Sequence, residues 1–138
     1  MTEIKLGGMC KGNALADRLI DFAVEIIRLV NTLPKTSVGN HLGGQLLSSG
    51  TSPGANYEES RGAESRPDFI HKLSIVLKEL KESRFWLRVI QRSKTLGTQQ
   101  VETLLQECEE LCAIIGKSIV TSKEKKKLIR KTQVPIEN

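Results

Sequence analysis

The sequence predicts an all-α protein, an up-down-up-down four-helix bundle. Apolar residues recur at steps of three and four along most of the chain, and no segment shows the alternation typical of a strand. Turn signals divide these stretches into four segments joined by short connections, which places successive helices antiparallel. The 138 residues suit one domain. We divide them into a flexible N-terminal arm (1–12), the bundle domain (13–122) and a basic C-terminal tail (123–138).

The first helix is predicted to begin at Asn13, a suitable N-cap, and to end before Pro34, which disfavours helical backbone at the residue before it. Two neighbouring apolar lines run along it. One contains Leu15, Leu19, Phe22, Ile26, Leu29 and Leu33, and the other contains Ala16, Ile20, Ala23, Ile27 and Val30. Such a wide apolar surface predicts contact with two or more neighbouring helices.

The second helix is predicted from about Val38 to Arg61, although its many Gly and Ser residues are typical of a loop. A structureless connection of this length is improbable inside a compact domain. Leu42, Leu46 and Tyr57 also keep a helix-like spacing. We expect a kink or break near Pro53, because proline removes a helical hydrogen bond and clashes with the preceding turn.

The third helix is predicted to start at Ser65, a cap residue followed by Pro67 and Asp68 in the first turn. One apolar stripe faces the bundle: Phe69, Leu73, Val76, Leu80, Leu87 and Ile90. A second stripe lies roughly opposite: Ile75, Phe85, Trp86 and Val89. An isolated bundle has no use for a second apolar side, so these four residues are the predicted interface of a homo-oligomer.

The fourth helix follows Gly97 and Thr98 and carries a narrow apolar stripe from Val101 to Ile119. Cys108 and Cys112 lie four residues apart within that stripe. Two thiolates at this spacing could share a metal ion, but a structural zinc site needs four ligands. The other candidate ligands, Cys10, His41 and His71, are isolated in the sequence. We therefore interpret both cysteines as core residues and expect no metal and no cofactor.

The net charge of +5 is concentrated near the C-terminus, since residues 1–122 carry only +1 and residues 123–138 carry +4. The tail cations are Lys123, Lys125, Lys126, Lys127, Arg130 and Lys131. The tail could serve solubility alone, as a frayed helix end, or it could contact nucleic-acid phosphates.

A second basic line on the third helix consists of Lys81, Arg84, Arg88 and Arg92. The acids Glu102, Glu107, Glu109 and Glu110 of the fourth helix could neutralise it through salt bridges. An uncovered line would instead form a phosphate-binding surface.

The connection between the second and third helices is rich in polar and charged residues. They are Asn56, Glu59, Arg61, Glu64 and Arg66. A binding site at the end of the bundle is one interpretation. We favour a capping network, in which Asn56 and Glu59 bond the loop backbone and an arginine pairs with the acids.

No feature indicates an enzyme. The sequence lacks a phosphate-binding GxxxxGK[ST] loop, its two histidines are isolated, and its adjacent acids point to different sides of a helix. We expect no small-molecule substrate. The odd number of cysteines favours a reducing compartment, and no apolar run approaches 18 residues. We therefore expect a cytoplasmic protein with no membrane partner.

Several segments together resemble the bacterial four helix bundle proteins, also called the 23S rRNA intervening-sequence or S23 family. The resemblance covers roughly residues 14–118 and is most specific over 45–90. Its motifs are Gln45 with the small residues after it, Asn56-x-x-Glu59, Arg61, Ser65 before Asp68-Phe69, Leu73-x-x-x-x-Lys78-Glu79, and Glu82-x-Arg84-Phe85-Trp86-Leu87. Gly50 and Pro53 depart from the better helix formers usual in that family, and Ser60 stands where many members have Ala or Gly.

The resemblance implies a subunit that assembles with itself as a ring-like pentamer, and it implies no catalytic residues. It also implies kinship with the accessory proteins of diversity-generating retroelements, which work with a reverse transcriptase and nucleic acid. We therefore expect a non-enzymatic homo-oligomer that binds RNA, DNA or a nucleic-acid enzyme through basic surface. The alternative is a purely structural or protein-interaction oligomer.

Overall fold

The computed structural model describes residues 11–97 and 99–132, with side chains from Ala14 onward. It contains four helices: α1 (Lys11–Thr32), α2 (Ser37–Arg61), α3 (Arg66–Arg92) and α4 (Gln99–Thr132). Each helix packs against the next, and α4 returns to α1. The described parts of α1 and α3, and of α2 and α4, do not pack against each other, so these pairs occupy diagonal corners. The predicted four-helix bundle is confirmed.

The core is built mainly from Leu, Ile and Val side chains, as the sequence predicted. Those with no exposed surface include Leu19, Ile26, Leu29, Leu46, Val76, Leu80, Leu87, Ile90, Leu111 and Ile115. Phe22 and Tyr57 are the buried aromatic residues of the described chain. The predicted core lines of α3 and α4 therefore face the centre of the bundle.

Helix α1 begins at Lys11, two residues before the predicted cap Asn13, so the predicted start is wrong. Positions 11 and 12 of the predicted arm are helical, and positions 1–10 lie outside the described residues. The helix ends at Thr32, just before Leu33 and Pro34, as expected.

Helix α2 is uninterrupted from Ser37 to Arg61, so the predicted break at Pro53 is wrong. Packing overrides the weak helix propensity of this segment, because Pro53 is buried and α1 lies very close. A Cβ atom placed on Gly50 would lie 2.7 Å from Cγ1 of Ile26. Gly50 therefore has a packing role, since it lets the two helices approach.

Helix α3 starts as predicted, because the Ser65 hydroxyl accepts a hydrogen bond of 3.2 Å from the backbone N–H of Asp68. Helix α4 continues to Thr132, ten residues beyond the predicted end of the bundle domain. Residues 123–132 of the predicted tail are therefore helical, and residues 133–138 lie outside the described part of the chain.

Candidate functional site

The basic row, as we call Lys81, Arg84, Arg88 and Arg92 of α3, lies on the surface beside α4. Arg84 is half-buried and the other three side chains are exposed. Arg88 donates to Glu109 of α4 over 3.4 Å, with about half of each side chain exposed. Among the described residues, no acid lies within 4.0 Å of the other three cations. The predicted neutralisation by α4 therefore applies to Arg88 alone.

Two of the α4 acids pair with α1 instead of α3. The Arg18 guanidinium donates two hydrogen bonds to Glu107, of 2.6 and 2.8 Å, and its Nη2 lies 3.4 Å from Glu110. The hydrogen bond to Glu107 raises the pKa of Arg18. No sequence pattern indicates this contact, because its partners lie 89 residues apart.

The C-terminal cations extend along the last turns of α4. Lys126 is half-buried, and the side chains of Lys123, Lys125, Lys127, Arg130 and Lys131 are exposed. None of them forms a salt bridge with another described residue. The helix therefore gives these cations fixed angular positions around α4, which a flexible tail would not.

Both cysteines of α4 are buried, as predicted, and lie near the basic row. The Cys108 thiol donates a 3.1 Å hydrogen bond to the Leu80 carbonyl. The neighbouring Cys108 thiol and the charges of Arg84 and Lys81 lower the pKa of Cys112. No three His, Cys, Asp or Glu side chains of the described chain are grouped to hold a metal ion, and Cys10 lies outside it.

The corner between α2 and α3 differs from the predicted capping network. Asn56 donates to Ser52, one turn earlier in α2, and Glu59 accepts from Lys72 over 3.4 Å. Neither side chain bonds the loop backbone, so that prediction is wrong. Backbone hydrogen bonds to Glu59 and Ser60 hold the turn instead. Arg61 pairs with Glu58, as the network required of an arginine, while Glu64 and Arg66 line a shallow open pocket.

The predicted interface residues form the α3 face, which we define as Ile75, Phe85, Trp86 and Val89. Phe85 is 55% exposed, whereas the other three are half-buried. The Phe85 and Trp86 rings meet edge to face, with centroids 4.9 Å apart. The His41 ring of α2 also meets the Trp86 ring edge to face, with centroids 6.0 Å apart. The buried Trp86 Nε1 has no hydrogen-bond partner. The α3 face is therefore a partly exposed aromatic surface whose inner side packs against the core.

A second exposed apolar surface was missed by the sequence analysis. Ile20, Val24 and Ile27 of α1 are 52%, 38% and 43% exposed, and Leu47 of α2 is 38% exposed. We call these four residues the α1 face. Ile20 and Ile27 belong to the line that we expected to contact neighbouring helices. That expectation is wrong for both, because α2 approaches α1 through Leu19, Ile26 and Val30.

The structure thus defines a class: a four-helix bundle with two exposed apolar faces and a basic row. None of the helices in the described ranges is long and apolar enough to cross a membrane. The model of the 23S rRNA-intervening sequence protein family matches residues 13–117, and the chain belongs to that family. The resemblance inferred from the sequence motifs is therefore confirmed.

A solved structure supports the same assignment. It is a protein of unknown function from the S23 ribosomal protein family of Bacteroides thetaiotaomicron, 36% identical to this chain, with a TM-score of 0.73. The match covers 79% of this chain and 97% of that protein. Among curated proteins, no significant match is found.

Proposed function

We propose that this chain is a non-enzymatic, homo-oligomeric bundle protein that binds nucleic acid, or a nucleic-acid enzyme such as a reverse transcriptase, through basic surface. The exposure of the basic row carries the proposal. Lys81, Arg84 and Arg92 have no acidic partner in the described chain, so a phosphate ligand would displace only water and counterions there. The free thiols of Cys108 and Cys112 support action in the cytoplasm.

The two apolar faces support self-association. Because α1 and α3 occupy diagonal corners, the α1 face and the α3 face lie on different sides of the subunit. Two different surfaces that pair between copies make a head-to-tail contact, which closes into a ring when the rotation between successive copies is a whole fraction of a turn and otherwise forms an open filament. This arrangement fits the ring-like pentamer that the family resemblance implies. Covering an exposed large apolar side chain such as Phe85 stabilises the contact by up to about 1.5–3 kcal/mol.

The oligomer is tested by light scattering on Phe85→Asp and Ile27→Asp, one substitution on each face. We expect each variant to shift the particle mass toward that of a monomer. Val120→Asp is the matched control, because Val120 is also 55% exposed but lies on neither face. If all three variants kept the native mass, the proposed contact between the two faces would be wrong.

Nucleic-acid binding is tested by titrating the full chain into an unstructured RNA at 50 and 200 mM salt. We expect binding that weakens steeply with salt, and weakens further when Lys81, Arg84 and Arg92 are replaced by Gln. Circular dichroism checks that this variant stays folded. No binding of the native chain at 50 mM would eliminate the nucleic-acid role.

The alternative is a purely structural oligomer without a nucleic-acid role. The Arg88–Glu109 and Arg18–Glu107 pairs favour it, because they use cations inside the subunit. This alternative predicts an oligomeric mass that depends on the apolar faces, together with no binding to RNA at low salt. A reverse-transcriptase partner predicts a salt-sensitive complex with that enzyme even when RNA is absent.

A further inference from the structure

A groove between α3 and α4 lies at the Arg92 end of the basic row. Its volume of about 390 Å³ falls within the range of small-molecule sites, about 300–1,000 Å³. Arg88 and Arg92 line it from α3, and Glu102 and Glu109 line it from α4. The half-buried Leu105 adds apolar surface. We call the space between these five residues the end groove.

The formal charges of the end groove cancel, because two arginines and two glutamates line it. A phosphate gains little from a site without net charge, whereas a neutral ligand with both hydrogen-bond donors and acceptors can use both kinds of side chain. The amides of Gln91 and Gln106, which also line the groove, offer further donors and acceptors. The groove therefore suits a neutral polar ligand beside a phosphate-binding surface.

Two of the four charges are available to such a ligand. Arg88 and Glu109 bind each other over 3.4 Å. Arg92 and Glu102 line the same groove, yet neither forms a salt bridge within 4.0 Å, with the other or with any other described residue. A ligand that presents acceptors to Arg92 and donors to Glu102 would fill the space between these opposite charges.

Guanine is the nucleobase whose edges fit these two side chains. Its O6 and N7 atoms are adjacent acceptors, which a guanidinium binds with two hydrogen bonds. Its N1–H and N2–H groups are adjacent donors, which one carboxylate accepts with its two oxygens. Adenine, cytosine and uracil each lack two adjacent donor groups. We propose that the end groove holds one unpaired guanine of a nucleic-acid strand, with Arg92 donating to O6 and N7 and Glu102 accepting from N1–H and N2–H.

The inference rests on the proposed nucleic-acid function and adds a base preference to it, because phosphate contacts alone carry no sequence information. Lys81 and Arg84 of the basic row remain for the phosphates. The guanine must be unpaired, since its N1–H and N2–H groups bind cytosine in a duplex. Arg88 is held by Glu109, and bases of single strands stack on such guanidinium planes. The ligand is therefore single-stranded.

The test measures a ratio of two affinities, so that effects of net charge cancel. The probes are two fluorescein-labelled RNA decamers, one of uridine alone and one with a single central guanosine, each titrated with the full chain. We expect the guanosine probe to bind about tenfold more tightly, in the lower part of the range for a bidentate base contact because the groove is open to water. From 50 to 200 mM salt both affinities should fall while the ratio stays, because hydrogen bonds to a base release no counterions.

Glu102→Gln should bring this ratio close to one, because the amide replaces one of the two acceptor oxygens by a donor. Glu124→Gln is the matched control, since it removes the same charge from an exposed position of α4 outside the groove. It should keep the native ratio. A third probe with inosine, which lacks the N2 amino group, should bind the native chain more weakly than the guanosine probe does. Glu102→Gln should bind these two probes equally.

The outcomes separate this inference from the proposed function. Salt-sensitive binding with a native ratio of one would overturn the guanine site and leave nucleic-acid binding intact. Equal ratios in Glu102→Gln and Glu124→Gln would show that the groove does not bind the base. An adenosine probe that bound as tightly as the guanosine probe would refute the guanine assignment. If the native chain bound neither decamer at 50 mM salt, the proposed function would fail, and this inference with it.

Discussion

The close approach of α1 and α2 at Gly50 predicts the sign of the stability change when this glycine is replaced by alanine. An added Cβ atom would lie 2.7 and 2.8 Å from the two γ-carbons of Ile26, a branched side chain that is fully buried. Overpacking of this kind costs about 1–3 kcal/mol, and the higher helix propensity of Ala returns about 1 kcal/mol. We expect Gly50→Ala to destabilise the protein by up to about 2 kcal/mol.

Gly44→Ala is the matched control, since Gly44 lies in the same helix and has nothing within 4 Å of an added Cβ. It gains the propensity term alone, so it should stabilise the protein by up to about 1 kcal/mol. Urea unfolding followed by circular dichroism measures both variants at one protein concentration, so that any contribution of the proposed assembly is the same for both. If Gly50→Ala were as stable as Gly44→Ala, α1 and α2 would not need glycine at their closest contact. Ile26→Ala should also lower the free energy of unfolding by less in the Gly50→Ala background than in the native chain, because it removes the γ-carbons that clash with the added Cβ atom.

Two further predictions concern charged groups. Arg18→Gln should lower the free energy of unfolding by about 1 kcal/mol, and by less at high salt. Arg28→Gln is the control: it breaks only an exposed pair with Glu25, so it should change the free energy of unfolding by less than about 0.5 kcal/mol. Equal effects of the two variants in urea titrations would contradict the bridge between α1 and α4. In a Cys10→Ser background, alkylation of Cys112 by iodoacetamide, followed by peptide mass spectrometry, should rise with pH around a midpoint below that of an ordinary thiol, because the pKa of Cys112 is lowered. Arg84→Gln should move that midpoint upward, and an unchanged midpoint would show that the arginine does not stabilise the thiolate.

Two of the predictions that failed depended on how closely neighbouring helices approach. Pro53 argued for a break in α2, yet the helix is continuous because its glycine-containing face packs directly on α1. Ile20 and Ile27 have the apolar spacing of core residues, and no pattern within α1 shows that its neighbours contact a different arc. The capping role expected of Asn56 was wrong for a local reason, since backbone hydrogen bonds within the turn satisfy its own groups.

The sequence by itself determined the four helices, the start of α3 at Ser65 and the inward-facing positions of the core, because caps and hydrophobic periodicity act within a few residues along the chain. It also determined the family, through motifs that lie close together in the chain. Only the tertiary structure decided which charges pair and which stay exposed, because Arg18 finds Glu107 across 89 residues, and Arg88 finds Glu109 on another helix.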